Sequence, residues 1–365
     1  MSCNIVPVGR RRDGGTRYWC LGHHANATAK YGKPAAKCVA ADDVPIAPED
    51  TLDLDFKSYP GGIALWGSVP AVFDTTYGHP DRGIHVHARL VKDGDKVIDR
   101  TYRKLRIPLA KDLLSDGWAE VDEIDAINYM VSRVFGFDTI AVNCSYCGFP
   151  HLDRDWFAVH EHRRHQCHGC GKQFSDSAAG VGNPLATLRH MLRAQKPKLT
   201  PAKKKAKFKQ SQFPGGIQIW GSNPAILWTS GRAEEDGIHV HAFASTTENL
   251  PSGLDDTFAE VTIDGIRLDA AQVRTYMAQS AMPHIDGRVV ELICPDCGLS
   301  HFDQNEWSYT PHVEHSCHSC GCTFFASGSL KKTIGNPFAG VRLELAKRAP
   351  NPLRNDKLGL RPETI

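Results

Sequence analysis

Two stretches of the chain carry paired cysteines: Cys144-x2-Cys147 with Cys167-x2-Cys170, and Cys294-x2-Cys297 with Cys317-x2-Cys320. Two thiolates separated by two residues can grip one side of a tetrahedral ion from a tight turn, and the second pair closes the other side. Each pair ends in Cys-Gly, at Gly148, Gly171, Gly298 and Gly321. A glycine there can take the positive φ that turns backbone N–H groups toward sulfur. Four thiolates leave no open position, so the expected chemistry is that of a staple. A third set, Cys3, Cys20, His23 and Cys38, offers three thiolates and an imidazole, with His24 as an alternate ligand. The twelfth cysteine, Cys322, stands where the first stretch has Lys172 and reads as incidental.

The 18 histidines are the second chemical signal. Gly83-Ile-His-Val-His-Ala88 recurs as Gly237-Ile-His-Val-His-Ala242. On a strand, His85 and His87, or His239 and His241, share one face, with the aliphatic residues on the other. Between 144–174 and 294–324 the identities are the four cysteines, two glycines, one Phe, Asp153/Asp303 and four histidines. Those histidines are His151/His301, His162/His312, His165/His315 and His168/His318, whereas His160 became Thr310. Two roles fit them. In one, the His-x-His pair, completed by Asp153 (Asp303) or His151, holds a second metal with an open position that polarises water or phosphate. In the other, the imidazoles hydrogen-bond turn carbonyls, support the zinc-bound sulfurs, or join the ribbon to its β-domain. No HExxH, nucleophile elbow or phosphate-cradling loop accompanies them, which weighs against an enzyme.

The paired knuckles joined by a hairpin resemble the zinc-ribbon class, over 144–174 and 294–324 only. The resemblance implies a metal-held β-hairpin and no particular activity.

The elements that must position these residues follow from a repeat. Tyr59 to Ala71 returns as Phe213 to Ala225, the cysteine stretches align at an offset of 150 without a gap, and Gly182-Asn-Pro184 returns as Gly335-Asn-Pro337. The expected fold is α+β, a tandem duplication of a small β-rich domain, a helix and a ribbon. Its parts are a zinc-held segment (1–57), the first unit (58–194), a Lys-rich extended linker (195–210), the second unit (211–347) and a tail (348–365). Strands are expected over Ile63–Trp66, Ile84–Leu90 and Val97–Ile107, and helices after the caps Asp125 and Asp269. A short closing helix is expected after Asn183-Pro184 and Asn336-Pro337. Trp66 and Trp220, each before Gly-Ser, read as core and turn residues, with stacking on a base or sugar as the alternative.

Lys+Arg 43 against Asp+Glu 41 excludes a polybasic or polyacidic chain, and no apolar run suits a membrane span. Met1 to Asp13 lacks a signal-peptide pattern, so a cytoplasmic setting with metal-bound cysteines is expected rather than disulfides. Three functions remain: nucleic-acid binding, a protein-interaction scaffold within a larger complex, and a metal-dependent enzyme of hydrolase type on the His-x-His strands. Nucleic acid leads, with Arg154, Arg163, Arg164, Lys203, Lys204 and Lys205 as contacts. The second ribbon has four acids and no Lys or Arg, so phosphate is repelled there. Small ribbons bury little core, so chelation should open them locally. Limited proteolysis after chelator treatment should cut within 144–174 and 294–324; unchanged protection would count against structural zinc.

Overall fold

The computed structural model describes residues 51–349 except 77–81, 93, 109–117, 138, 149, 168–169, 192–198, 223–224, 230–233, 245–252 and 327–330, together with the backbone of three short strands before residue 27. The candidate site Cys3, Cys20, His23 and Cys38 lies outside the described side chains, as does most of the tail. The architecture is mixed, with helices set against several small sheets. No helix among the described residues is long and apolar enough to cross a membrane.

Two four-stranded sheets carry the repeated motifs. The first contains β1 (Gly62–Ser68), β3 (Gly83–Arg89) and β4 (Ile98–Tyr102); the second contains β5 (Gly216–Gly221), β7 (Ile238–Phe243) and β8 (Leu254–Phe258). Each is completed by a two-residue strand from the other half. Phe73–Asp74 (β2) pairs with β5, and Leu227–Trp228 (β6) pairs with β1, giving the orders β6-β1-β3-β4 and β8-β7-β5-β2. The exchanged strands are tied at both ends. Ile226 and Thr229 donate backbone N–H groups to the Leu65 and Ile63 carbonyls, and Val72 and Thr75 do the same to Ile219 and Ile217. The Thr229 hydroxyl accepts from Ile63 N–H at 2.8 Å, as the Thr75 hydroxyl does from Ile217 N–H at 3.0 Å.

Alternation along β3 and β7 places Ile84, Val86, Ile238 and Val240 in the cores and the histidines on the opposite, half-buried face. Helices α1 (Glu123–Phe135) and α3 (Ala270–Ser280) cover the apolar faces and pack on one another. The Trp-Gly motif has its reason here. A Cβ at Gly67 would lie 2.3 Å from the Ala126 carbonyl oxygen, and one at Gly221 would lie 2.2 Å from Arg274 Cα. Only glycine lets the helices approach that closely.

Asp269 caps α3 as expected, accepting from Gln272 N–H at 3.0 Å. The cap of α1 is Asp122 rather than Asp125. Asp122 accepts from Ile124 and Asp125 N–H groups, and the Asp125 carboxyl reaches back to Asp122 N–H at 3.1 Å, so Asp125 is the third helical residue of a capping box. Asn183 and Asn336 each accept an N–H bond from the residue two positions on, at the starts of α2 (Pro184–Met191) and α4 (Phe338–Arg348). The Lys-rich stretch is extended but is not a free spacer. Residues 205–208 run parallel to Glu260–Ile263 in a three-stranded sheet, and 199–201 pair with Glu234–Asp236.

Leu227 is fully buried in the exchanged strand. Leu227→Ala should cost about 2–5 kcal/mol, read as a lower urea midpoint. No shift would mean that the exchange contributes little to the fold.

Candidate metal centres

The cysteine clusters meet the sequence expectation. Residues His162–Gln166 pair with Gln173–Gly182, and Glu314–Ser316 with Thr323–Phe325, as hairpins that carry the second knuckle of each cluster at their turns. All four knuckle glycines have positive φ, from 68° to 77°. Backbone N–H groups of Tyr146 and Cys170 point at the sulfurs of Cys144 and Cys167, at 3.4 and 3.3 Å. Sulfur separations are 3.7 Å for Cys144–Cys170 and 3.6 Å for Cys147–Cys167, and 3.6 and 3.7 Å for Cys294–Cys320 and Cys297–Cys317. Bonds of about 2.3 Å to a tetrahedral zinc place sulfurs about 3.8 Å apart, so both clusters fit that ion. A backbone N–H from Cys297 leads the lowering of the Cys294 thiol to about 6, toward the ligating thiolate.

Cys322, which the sequence leaves without a role, lies beside the second cluster. Its sulfur lies 3.2 Å from that of Cys294, giving the second cluster a fifth thiol beside its four. Its contact with Cys294, then burial, push the Cys322 thiol up, with Cys320 and Asp296 adding to it.

The His-x-His pairs are completed by residues the sequence reading missed. Asp153 and His151 do not reach them. Instead β4 presents Asp99 directly opposite His87, and β8 presents Asp255 opposite His241. His85 Nε2 and His87 Nε2 are 2.9 Å apart, and Asp99 Oδ1 lies 3.2 and 3.0 Å from them. In the second triad the corresponding separations are 3.0, 3.6 and 3.3 Å. Thr101 Oγ1 holds His85 Nδ1 at 3.0 Å and Thr257 Oγ1 holds His239 Nδ1 at 3.1 Å, which aims each Nε2 at its carboxylate. The sequence did hold a signal: Asp99-x-Thr101 and Asp255-x-Thr257 recur after each His-x-His. Trp66 packs edge-on against His87 with centroids 4.7 Å apart, and Trp220 against His241 at 5.0 Å.

The electrostatics suit cation binding. Burial lowers His87 to about 4, with His85 and Lys96 adding to it against the Asp99 hydrogen bond. Burial also lowers His239 to about 4, helped by His241 and, from the other half, by His85 and His87. The two triads therefore lie close enough to act on one another. Burial opposes ionisation of Asp99, but hydrogen bonds from His85, His87 and Lys96 outweigh it and hold the carboxylate charged. A hydrogen bond from His241 brings Asp255 down to about 2.

Asp153 and Asp303 sit instead in separate, buried clusters with the ribbon histidines. Of the basic residues expected to contact nucleic acid, Lys204 pairs with Asp256 at 2.5 Å and Lys205 with Glu260 at 3.1 Å. Arg163, Arg164 and Lys203 are exposed, and Arg154 is partly buried. No protein-family model, curated protein or solved structure matches the chain.

Neutral imidazole is the ligating form. His87 and His239 have folded values below the ordinary 6.5, so they stay neutral until the pH nears about 4. The His87 and His239 rings should still be neutral by NMR at about pH 5.5, where an ordinary histidine is mostly protonated. Protonation of both rings at that pH would contradict the burial argument.

Proposed function

We propose that the chain is a tandem-duplicated, zinc-stabilised protein whose two His-x-His/Asp triads are open metal sites serving a metal-dependent reaction of hydrolase type. One observation carries this reading: three ligand atoms, Nε2, Nε2 and Oδ1, lie 2.9–3.2 Å apart on a partly exposed sheet face. Bonds of about 2.1 Å place neighbouring octahedral ligands about 3.0 Å apart, so the triad matches one face of an octahedron. A divalent cation held there by His85, His87 and Asp99 would supply Lewis acidity toward a water or a substrate oxygen. The chain's own part is orientation and shielding. Thr101 and Thr257 fix the rings, and Trp66 and Trp220 form an apolar wall. The repeat in sequence and the matching registers of the two sheets support the duplication.

The test is metal content with hydrolysis of a generic phosphodiester, on wild type and on the fourfold variant H85A/H87A/H239A/H241A. The expected result is loss of the triad metals and of turnover, with the four-thiolate zincs retained. Equal metal content in both proteins would overturn the reading.

Nucleic-acid binding is the second reading, favoured by one surface. Arg163 and Arg164 are exposed on a ribbon that also exposes Trp156, Phe157 and Tyr146. Charge with aromatic faces suits single strands. With Lys204 and Lys205 engaged by acids, the contact rests on the ribbon. R163A/R164A should flatten the salt dependence of single-stranded nucleic-acid retention.

A further inference from the structure

Each ribbon contains a second convergence of ligands, made of residues other than its cysteines. Around Asp153 Oδ1 lie His151 Nε2 at 2.6 Å, His162 Nε2 at 3.2 Å and His165 Nδ1 at 3.5 Å. Around the Asp303 carboxylate lie His301 Nε2 at 2.6 Å, His312 Nε2 at 3.3 Å and His315 Nδ1 at 3.2 Å. His151, Asp153 and His165, like His301, Asp303 and His315, are at most 4% exposed.

The proton positions expose a deficit. His162 Nδ1 lies 2.7 Å from the His160 carbonyl oxygen, and His312 Nδ1 lies 2.9 Å from that of Thr310. A carbonyl only accepts, so Nδ1 carries the hydrogen in both rings. A neutral ring then turns the lone pair of Nε2 toward a carboxylate oxygen. Two electron-rich atoms in contact need a cation between them, either a metal ion or a second proton on the ring. A proton on one ring would serve that ring alone, yet three imidazoles converge in each cluster. The other carboxylate oxygen is already committed: Gly182 N–H and Gly335 N–H donate to Oδ2 of Asp153 and Asp303, each at 2.6 Å. That leaves three ring nitrogens around one carboxylate, and His151, Asp153 and His165 keep their ligand atoms within 4.8 Å of one another, a donor set that suits a tetrahedral ion.

The retention of residues between the two halves points the same way. Most of the hairpin differs between them, His160 included, but all four members of this cluster are kept. Orientation is built in as well. His315 Nε2 is held by Thr333 Oγ1 at 3.3 Å, which directs Nδ1 inward. A Cβ at Gly182 would meet His151 Cδ2 at 3.0 Å and Asp153 Oδ2 at 3.1 Å, and Gly335 is as tightly placed.

We propose that His151, Asp153, His162 and His165, and likewise His301, Asp303, His312 and His315, each hold a buried zinc ion distinct from the four-thiolate site of the same ribbon. The site is closed and structural. It clamps the ribbon to the Gly182 and Gly335 strand ends, and through the Asp153 carbonyl, which accepts from Asn128 Nδ2 at 3.0 Å, to α1.

The test uses the full chain and the double variant H162Q/H312Q, which replaces the ring nearest solvent in each cluster. The variant should bind two fewer zinc ions per chain by elemental analysis. Loaded with cobalt, it should keep the sulfur-to-cobalt charge-transfer band of the wild type and lose intensity only in the nitrogen-ligand d–d region. Equal metal content in the two proteins overturns the proposal and leaves both carboxylates paired with protonated histidines. If the variant does not fold, long-range 1H–15N NMR of the zinc-loaded wild type decides. A single ring proton on His162 and His312, at Nδ1, supports the metal; protons on both nitrogens overturn it.

Discussion

The reciprocal exchange of two short strands is the constraint on which the rest of the molecule rests. Without Leu227–Trp228, β1 would be an open sheet edge, and without Phe73–Asp74 so would β5. Pairing those edges within one chain removes a template for aggregation and fixes the two sheets relative to each other. It also brings the two histidine faces near enough to influence one another's protonation. Trp228, carried in by the exchange, packs edge-on against Trp66, which in turn walls His87. The surroundings of the first triad are thus partly built by the second half.

Burial separates the candidate metal centres by role. Each cysteine cluster sets four thiols close enough to fill a tetrahedral ion, with Cys322 beside the second. The His-x-His/Asp triads have three donors on a face where side chains remain 20–41% exposed, so water can reach the remaining positions. Charge follows the same division. The carboxylates of the triads are held ionised by their imidazoles and by Lys96, whereas Asp125, buried at the start of α1, is pushed well up by burial and the nearby Asp122.

Much of this was legible in the sequence because spacing encodes it. The x2 knuckles, the Cys-Gly turns and the strand alternation around His85 and His87 are local patterns, and local geometry decides them. Asp99 and Asp255 were missed because their role depends on cross-strand register, which places them opposite His87 and His241 but leaves only a short Asp-x-Thr echo in the chain. Asp153 was assigned to the wrong cluster for a related reason: its hydrogen bond to Gly182 N–H turns it toward the ribbon histidines. The cap at Asp122 was displaced by three residues because both ends of a capping box are acidic here. The lysines of 203–205 looked like a solvated strip, but the acids that engage two of them lie more than fifty residues away.

The strand exchange also sets an order of events for a chain made from its N-terminus. β1, β3 and β4 emerge early, yet their sheet waits for Leu227–Trp228, over 120 residues after β4 ends. The ribbon at 144–174 has no such wait, since all its ligands lie within one short stretch. During synthesis, metal capture by this ribbon can precede completion of the sheet. The nascent first half then carries a folded knuckle beside an unsealed β-edge until the second half arrives. Such long-range pairing slows folding and prolongs exposure. Demand for a chaperone should therefore fall on that interval of translation rather than on the finished protein.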